Sequence, residues 1–273
     1  LEGIDSTNFD TFTSGTAAAI TFGTTFSSMS DISTSGGDFE KIDVTTIHDN
    51  VEIGDHTVIE SHCEIGYPSR NAEGQPLTIG RNSHIRSHSI FYEGSTIGDE
   101  LTTGHRVTVR EKTRAGRNFQ IGTLGDIQGH CEIGNYTKFH SNVHIGQHAR
   151  IGNYVWIFPY VVLTNDPHPP SHVMWGVTIE DYAAIATMSV ILPGVTVKTG
   201  ALVGAHSSVA RNVEADTVVA GSPAKFICET RAIKLRDGSE QSAYPWRRHF
   251  HRGYSEEDVA AWMKEFAEKS EQA

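Results

Sequence analysis

Residues 127–157 read IQGHCEIGNYTKFHSNVHIGQHARIGNYVWI, and a large apolar residue occupies every sixth position of this stretch. The same spacing extends in both directions, from Ile53 to Ala215, with interruptions at residues 67–78 and 164–178. Of the 25 positions in the series, 22 are Ile, Val, Leu or Phe. A period of six fits neither an α-helix nor a plain strand, which repeat every 3.6 and every two residues. Repetition of this kind predicts a solenoid.

A second position in each repeat supports this prediction. The residue four places after the apolar one is usually small or β-branched, as at Thr137, Val143 and Ala149, and Gly, Asn and Asp are common between them. Gly, Asn and Asp tolerate the backbone of a sharp corner. Each repeat is therefore predicted to be a short strand plus a corner, with three repeats to a triangular coil whose stability comes from stacked neighbours. Cys63 and Cys131 occupy the small inward position and are predicted to fill the core.

Composition narrows the class of protein. The chain has 273 residues and a formal net charge of −11, which argues against nucleic acid as the main partner because phosphate binding needs a basic face. Three cysteines form no disulfide framework and fit a reducing compartment. No apolar run is long enough to cross a bilayer, and no signal peptide is visible at the start. We expect a cytoplasmic protein without a membrane partner.

The repeat pattern also predicts the domain organisation. Residues 1–46 are rich in Ser, Thr and Gly, lack the repeat, and are expected to form an irregular N-terminal cap. Residues 47–227 are expected to form the β-helix. Residues 228–273 are expected to form an extension with one α-helix over about 256–269, because Ser255 is a suitable N-cap and an apolar stripe follows it.

The C-terminal repeats carry a family resemblance. Residues 191–197, ILPGVTV, and residues 219–225, VAGSPAK, resemble the end of coenzyme A-dependent acyltransferases of the hexapeptide-repeat family. The resemblance covers about residues 50–230. It implies a left-handed parallel β-helix, a homotrimer with sites between subunits, and acetyl-coenzyme A as acyl donor with its pantetheine arm along the final coils. It assigns coenzyme A binding to Ala186, Thr187, Ala205 and Lys225, with Lys225 at a phosphate. Alternatively, the small residues only satisfy the repeat and Lys225 is a solvated charge.

Two histidines are candidates for a general base. Asp126 and His144 are eighteen residues apart, so they should lie one coil apart in the same outward slot, where the carboxylate can orient the imidazole. The interruption at 164–178 contains His168-Pro169, which resembles the loop of galactoside acetyltransferases whose histidine is the base. A corner column of Lys112, His130, His148 and Asp166 is expected to be solvated.

The acceptor site is predicted from a second resemblance. Residues 139–146, FHSNVHIG, are similar to sugar N-acyltransferases that act on nucleotide-linked amino sugars, which implies that His140 and Asn142 line the acceptor site. The chain departs from that group at His168, where many members have an aromatic residue. It also has Gly129-His130-Cys131 where another variety has His-Asp-Cys, so the identity of the base stays open.

Two groups of basic residues are candidates for binding an anionic part of the acceptor. The first is a run of Arg106, Arg110, Lys112, Arg114 and Arg117. Within it, Arg110 and Arg114 are the candidates for binding the substrate. Pairing with nearby carboxylates is the alternative. A second cluster occupies residues 247–252 and either binds an anion or is simply surface.

The sequence thus predicts an acyl-coenzyme A-dependent transferase that acylates an amino or hydroxyl group of a sugar or nucleotide-linked sugar, with no metal. Two alternatives remain. A γ-class carbonic anhydrase shares this fold, but that family pairs two histidines five apart, whereas His140, His144 and His148 run at intervals of four. The other alternative is a non-catalytic scaffold.

Overall fold

A computed structural model describes residues 44–240, 242–244 and 254, together with residues 256, 257, 259, 260 and 264. All of them fall within the unit Ile42–Ala273. The predicted N-terminal cap and the basic cluster 247–252 lie outside the described residues. The predicted helix over 256–269 lies for the most part outside them, so it stays a prediction.

Short strands turn through three sheets in strict rotation. Sheet A contains β1 (Thr46–Ile47), β4 (Glu64–Tyr67), β7 (Ile90–Tyr92), β10 (Thr108–Val109), β13 (Asp126–Ile127), β16 (His144–Ile145), β19 (Val162–Leu163), β22 (Val190–Ile191) and β25 (Ser208–Val209). Sheet B contains β2 (Val51–Ile53), β5 (Leu77–Ile79), β8 (Thr96–Ile97), β11 (Arg114–Ala115), β14 (Glu132–Ile133), β17 (Arg150–Ile151), β20 (Thr178–Ile179) and β23 (Thr196–Val197). Sheet C contains β3 (Val58–Ile59), β6 (His84–Ile85), β9 (Thr102–Thr103), β12 (Gln120–Ile121), β15 (Lys138–Phe139), β18 (Trp156–Ile157), β21 (Ala184–Ile185), β24 (Leu202–Val203), β26 (Thr217–Ala220) and β27 (Lys225–Glu229).

The register of these sheets follows the repeat. Asp126 lies beside His144 and Ile127 beside Ile145, with β13 and β16 parallel. The later insertion does not disturb the register, because Val162 lies beside Val190 across it. Only β27 runs antiparallel, against β26, within the described part of the chain. The predicted all-β parallel solenoid with three strands per coil is confirmed.

The corners between sheets hold their unusual backbone by hydrogen bonds to the preceding coil. The third residue of a corner commonly has a positive φ, as at Asn142 (58°) and Tyr160 (61°). The backbone N–H of Asn142 donates to the Thr123 carbonyl at 2.9 Å, and that of Tyr160 donates to the Ser141 carbonyl at 3.2 Å. These bonds stabilise a left-handed conformation that side-chain-bearing residues otherwise avoid. The corners are called A–B, B–C and C–A after the sheets that they join.

The interior is filled by the residues that the repeat placed inward. Ile65, Ile127 and Ile145 have no exposed surface, and Cys63 and Cys131 are 1% and 0% exposed. Burial raises the pKa of the Cys131 thiol to about 11 and also raises that of Cys63, so both stay protonated. The prediction that these cysteines fill the core is confirmed.

Ile53, also expected inside, is 37% exposed. Its strand, β2, is the outermost strand of sheet B in the described part of the chain, so one side of it lacks a neighbouring coil.

Two insertions leave the coils at the A–B corner. The first follows β4 and contains a short 3-10 helix, Arg70–Ala72, which Ser69 caps by accepting from the Asn71 backbone N–H. The second runs from β19 to β20 and carries His168. A second 3-10 helix, Thr230–Ala232, follows β27. Nowhere in the described part of the chain is a helix long and apolar enough to cross a lipid bilayer.

Candidate functional site

The C–A corner of residues 140–143 and the strand that follows it bring three predicted site residues onto one continuous stretch. His140 opens the corner, Asn142 is its left-handed residue, and His144 points outward from β16 in sheet A. Nδ1 of His144 lies 2.9 Å from Oδ2 of Asp126 on the coil before. The predicted juxtaposition of Asp126 and His144 is therefore confirmed, while their catalytic role stays a prediction.

The Asp126 carboxyl is kept ionised by its neighbours. Burial opposes its ionisation, but hydrogen bonds from His144 and Gln128 and the charges of His144 and Arg110 outweigh it, so its pKa lies below the ordinary value. The Gln128 amide donates to Oδ2 at 2.6 Å. The side chains of His144 and Asp126 remain 42% and 33% exposed, so substrate can reach the pair.

The ionised carboxylate decides which ring nitrogen of His144 carries the proton. A carboxylate only accepts hydrogen bonds, so Nδ1 of the neutral imidazole must be the donor. Nε2 is then left with a free lone pair. Nε2 of His144 can therefore act as a base at the surface, and the Asp126 carboxylate stabilises the positive charge that the ring acquires on protonation.

A cleft of about 360 Å³ lies beside His140 on sheet C. The corner positions one and two coils below His140 are Gly122 and Gly104, which line this cleft. A Cβ at Gly122 would lie 2.5 Å from the backbone nitrogen of Ser141, so glycine there lets successive corners stack closely. Above it the His140 ring stacks on Phe158, with centroids 4.8 Å apart and planes 13° apart. Partial burial and the charge of Lys138 lower the pKa of His140. His140 is thus held as a neutral aromatic wall at neutral pH.

The predicted basic run does not form one surface. Arg110, on the A–B corner, chelates the buried Glu111 with distances of 3.0 and 3.3 Å, and its charge reaches Asp126. Arg114 points outward from β11 in sheet B, on another face. Arg117 lies over the Tyr136 ring at 4.8 Å. The structure brings Arg110 towards the Asp126–His144 pair, but it does not bring Arg114 there, because successive repeats turn from face to face.

His168 lies on the exposed outer part of the second insertion. Its backbone N–H donates to Oδ1 of Asp166 at 2.9 Å, and its ring meets Trp175 edge-on at 6.2 Å. The insertion returns over the A–B corner, where the Gly194 backbone N–H donates to the Trp175 carbonyl at 3.1 Å. Within the described residues no hydrogen bond joins His168 to His144 or Asp126.

Three of the four residues predicted to bind coenzyme A, Ala186, Thr187 and Ala205, lie on the same C–A corner as His140, on later coils. Ala186 and Thr187 follow β21, and Ala205 follows β24 on the next coil. The Thr187 carbonyl accepts from the backbone N–H of His206, which ties the two corners together. Lys225 is exposed on β27 at the end of the prism, beside a cleft of about 560 Å³.

Comparison with known proteins finds curated acyltransferases that are similar in sequence to this chain. The chain is 32% identical over 145 residues to the bifunctional protein GlmU of Dichelobacter nodosus, which covers 53% of this chain and 30% of that protein. It is 29% identical over 166 residues to the galactoside O-acetyltransferase of Escherichia coli, which covers 53% of this chain and 79% of that protein. The chain is therefore similar to acyltransferases of the hexapeptide-repeat kind. No family model matches it.

The match to the relatives is partial. This hexapeptide-repeat chain spans 30% to 44% of the length of the GlmU proteins that it matches. Among solved structures it is similar to a mutant of the N-acyltransferase AntD from Bacillus cereus in complex with dTDP and coenzyme A. That similarity covers 65% of this chain and 83% of the other, at 17% identity and a TM-score of 0.32.

Several contacts of this hexapeptide-repeat protein were missed by sequence reasoning. Lys138 precedes the inward Phe139 on β15 but is only 8% exposed, with its ammonium 5.4 Å from the Trp156 ring and 4.1 Å from the Tyr254 ring. The rings of Tyr136 and Tyr154 stack with their centroids 5.0 Å apart. These residues are eighteen apart in the sequence, so the repeat could have predicted that their side chains lie side by side. No periodic signal points to Tyr254. Among the described residues, no three His, Cys, Asp or Glu side chains lie close enough together to hold a metal ion.

Proposed function

We propose that this protein is a coenzyme A-dependent acyltransferase that acylates an amino or hydroxyl group of a sugar or nucleotide-linked sugar. The observation that carries the proposal is the Asp126–His144 pair, whose 2.9 Å contact leaves Nε2 of the histidine free to accept a proton. Similarity to GlmU and to a galactoside O-acetyltransferase supports acyl transfer over the carbonic anhydrase and scaffold alternatives.

The C–A corner is suited to the pantetheine arm of coenzyme A. Ala186, Thr187 and Ala205 present little side chain there, and Ala205 is exposed. Within the described part of the chain, the backbone N–H groups of Thr187 and Ala205 donate no hydrogen bond. Two free donors one coil apart, about 4.8 Å, match the repeated amides of such an arm. The exposed Lys225 is proposed to meet a phosphate.

The proposed chemistry follows from the protonation states. Acetyl-coenzyme A, when bound, supplies the acyl group as a thioester. An amine or hydroxyl must lose a proton as it attacks such a group, and Nε2 of His144 takes that proton. Asp126 stabilises the resulting imidazolium and fixes the orientation of the ring. His168 is the rival base, or a partner that reaches the site from the insertion.

The cleft beside His140 is the proposed acceptor site. His140 and Trp156 supply aromatic walls against which the apolar face of a sugar can pack. Asn142, on the corner between the cleft and His144, is proposed to hold the acceptor by its side-chain amide. Arg110 is proposed to attract an anionic part of the acceptor, since it lies close enough for its charge to lower the pKa of Asp126.

The assembly and setting are part of the same proposal. A left-handed turn of the coils and a homotrimer with sites between subunits are inferred from the family resemblance. Leu124, Tyr160 and Met188 support an interface, because they expose 48%, 54% and 48% of their surface along the C–A corner. Light scattering of the purified protein tests the trimer. The unpaired, buried Cys63 and Cys131 support a reducing, cytoplasmic setting.

An acceptor screen tests the proposed activity. The purified chain is mixed with acetyl-coenzyme A and a panel of amino sugar nucleotides and simple sugars, and release of the free thiol is followed with a thiol-reactive dye. The proposal predicts thiol release that depends on one class of acceptor. Failure of coenzyme A to raise the melting temperature, together with no acceptor-dependent release, would contradict it.

A further inference from the structure

A second groove lies on the A–B corner, between the first insertion and sheet B. Its volume is about 360 Å³. Five basic side chains line it: Lys112, Arg114, His130, His148 and Arg150. Lys112, His130 and His148 belong to the corner column that the sequence predicted to be solvated. His130 is instead half-buried.

The groove has an excess of cationic groups. The carboxylate of Glu73 pairs with Lys112 at 2.6 Å, and that of Glu132 lies 3.9 Å from Arg150. Arg114 has no ion-pair partner in the described part of the chain. After these pairings, one guanidinium and two imidazoles remain to face the groove.

The imidazoles crowd each other. The rings of His130 and His148 lie 5.2 Å apart. Burial lowers the pKa of His130, and the charges of His148, Lys112 and Arg110 lower it further, while Glu111 opposes them. Glu73, also beside it, is already bound to Lys112. A bound anion would offset this repulsion and favour the protonated form of His130.

The groove is built by specific contacts rather than by chance proximity of surface charges. The fully buried Glu111 accepts from the Asn71 amide at 2.9 Å and from Arg110 at 3.0 Å, which fixes the insertion to the corner. Gly94, with φ +77°, lets the insertion approach, since a Cβ there would lie 2.8 Å from the Ala72 Cβ. One wall of the groove therefore depends on a buried, hydrogen-bonded carboxylate.

We propose that this groove binds the phosphate group of a ligand, at a site separate from the Asp126–His144 pair. A guanidinium binds phosphate through two parallel N–H donors, and protonated imidazoles add single donors around it. The space exceeds that of one phosphate, so a nucleotide also fits. Binding strengthens as the pH falls, because an anion favours protonated His130.

Calorimetric titration of the full chain tests the site directly. The ligands are inorganic phosphate, pyrophosphate and UDP, each at pH 6 and pH 8. The expected result is tighter binding at pH 6, with a dissociation constant weakened about tenfold or more in Arg114→Gln, as for loss of a charge-assisted bidentate contact. Tighter binding of UDP than of pyrophosphate assigns the ligand to nucleotides, and equal binding assigns it to the phosphate alone.

Matched variants distinguish binding in the groove from nonspecific attraction of anions to surface cations. Arg81→Gln removes an exposed cation on the B–C corner and is expected to bind like the wild type. His130→Asn keeps a residue that tolerates the left-handed φ of 53° and is expected to lose the pH dependence. His144→Gln is expected to retain phosphate binding, so this proposal survives even without acyl transfer. Absence of binding at millimolar concentration, or equal weakening by Arg81→Gln and Arg114→Gln, overturns it.

Discussion

A single carboxylate, Asp126, determines which nitrogen of His144 is available for chemistry. Replacing Asp126 with Asn keeps the size of the side chain but allows an amide N–H to donate to Nδ1, which favours the tautomer with its proton on Nε2. We expect kcat/KM to fall by about 100- to 10,000-fold, the range for loss of general base catalysis. Steady-state kinetics measure it, and an unchanged kcat/KM would show that His144 is not the base.

The same carboxylate makes folding stability depend on pH. The pKa of Asp126 is lowered in the folded protein, so its contribution is present above the unfolded value of about 3.9 and is lost as the pH falls through the folded value. Asp126→Asn should therefore destabilise the protein at pH 7 and pH 5, with the difference shrinking below pH 4. Urea unfolding at each pH measures this, and a difference that is constant with pH would contradict it.

Burial also sets the reactivity of the cysteines. Cys131 has a pKa of about 11, and Cys63 is equally inaccessible, whereas Cys228 is half-buried. Because the thiolate is the reactive form, a thiol reagent at pH 8 should modify at most Cys228 in the folded protein and all three in denaturant. Mass spectrometry of the labelled protein gives the count, and rapid native labelling of Cys131 would contradict the burial.

Residue-level features differ in how far the sequence predicts them. The Asp126–His144 contact follows from spacing alone, because residues eighteen apart lie side chain to side chain. The hydrogen bond from Gln128 to Asp126 was missed, because Gln128 lies only two residues after Asp126 and its amide turns back to the carboxylate. The eighteen-residue spacing does not predict such a contact. Arg114 was assigned to the substrate, but one repeat of displacement from Arg110 moves it to another face.

At the scale of elements, the C-terminal segment is fixed to the solenoid by Tyr254. The Trp156 indole N–H donates to the Tyr254 hydroxyl at 2.7 Å, and this hydroxyl donates to the Tyr136 carbonyl at 2.7 Å. Tyr254→Phe removes both bonds and should lower the free energy of unfolding by about 1–3 kcal/mol. Tyr67→Phe, at a 43% exposed ring whose hydroxyl has no hydrogen bond among the described residues, is the control. Thermal unfolding compares them, and equal melting temperatures would contradict the anchor.

The elements show why the repeat was predictable and its attachments were not. Each strand is two to five residues long, and its inward residue is set by the six-residue period, so sequence alone locates the sheets and the core. The contact of Tyr254 with Trp156 spans 98 residues and follows no period. The docking of Asn71 onto Glu111 likewise depends on how an insertion folds back, which spacing does not encode.

At the scale of the whole molecule, the three sheets of the solenoid place different sets of polar side chains on different faces. The C–A corner and sheet A carry His140, Asn142 and His144, while the A–B corner carries the groove proposed to bind phosphate. Although the formal net charge is −11, the groove concentrates cationic groups locally. The global charge argues against nucleic acid as the main partner, but it is compatible with a small anionic ligand bound at a locally basic groove.

The kinetics of His144→Gln, measured as acceptor-dependent release of the coenzyme A thiol, test the central claim most directly. His56→Asn is the matched control, because His56 is an exposed histidine with φ 60° on the B–C corner, away from the site. We predict that His144→Gln loses at least about 100-fold in kcat with little change in KM, while His56→Asn keeps wild-type activity. Near-normal turnover in His144→Gln, with the loss appearing instead in His168→Ala, would contradict the account and move the base to the insertion.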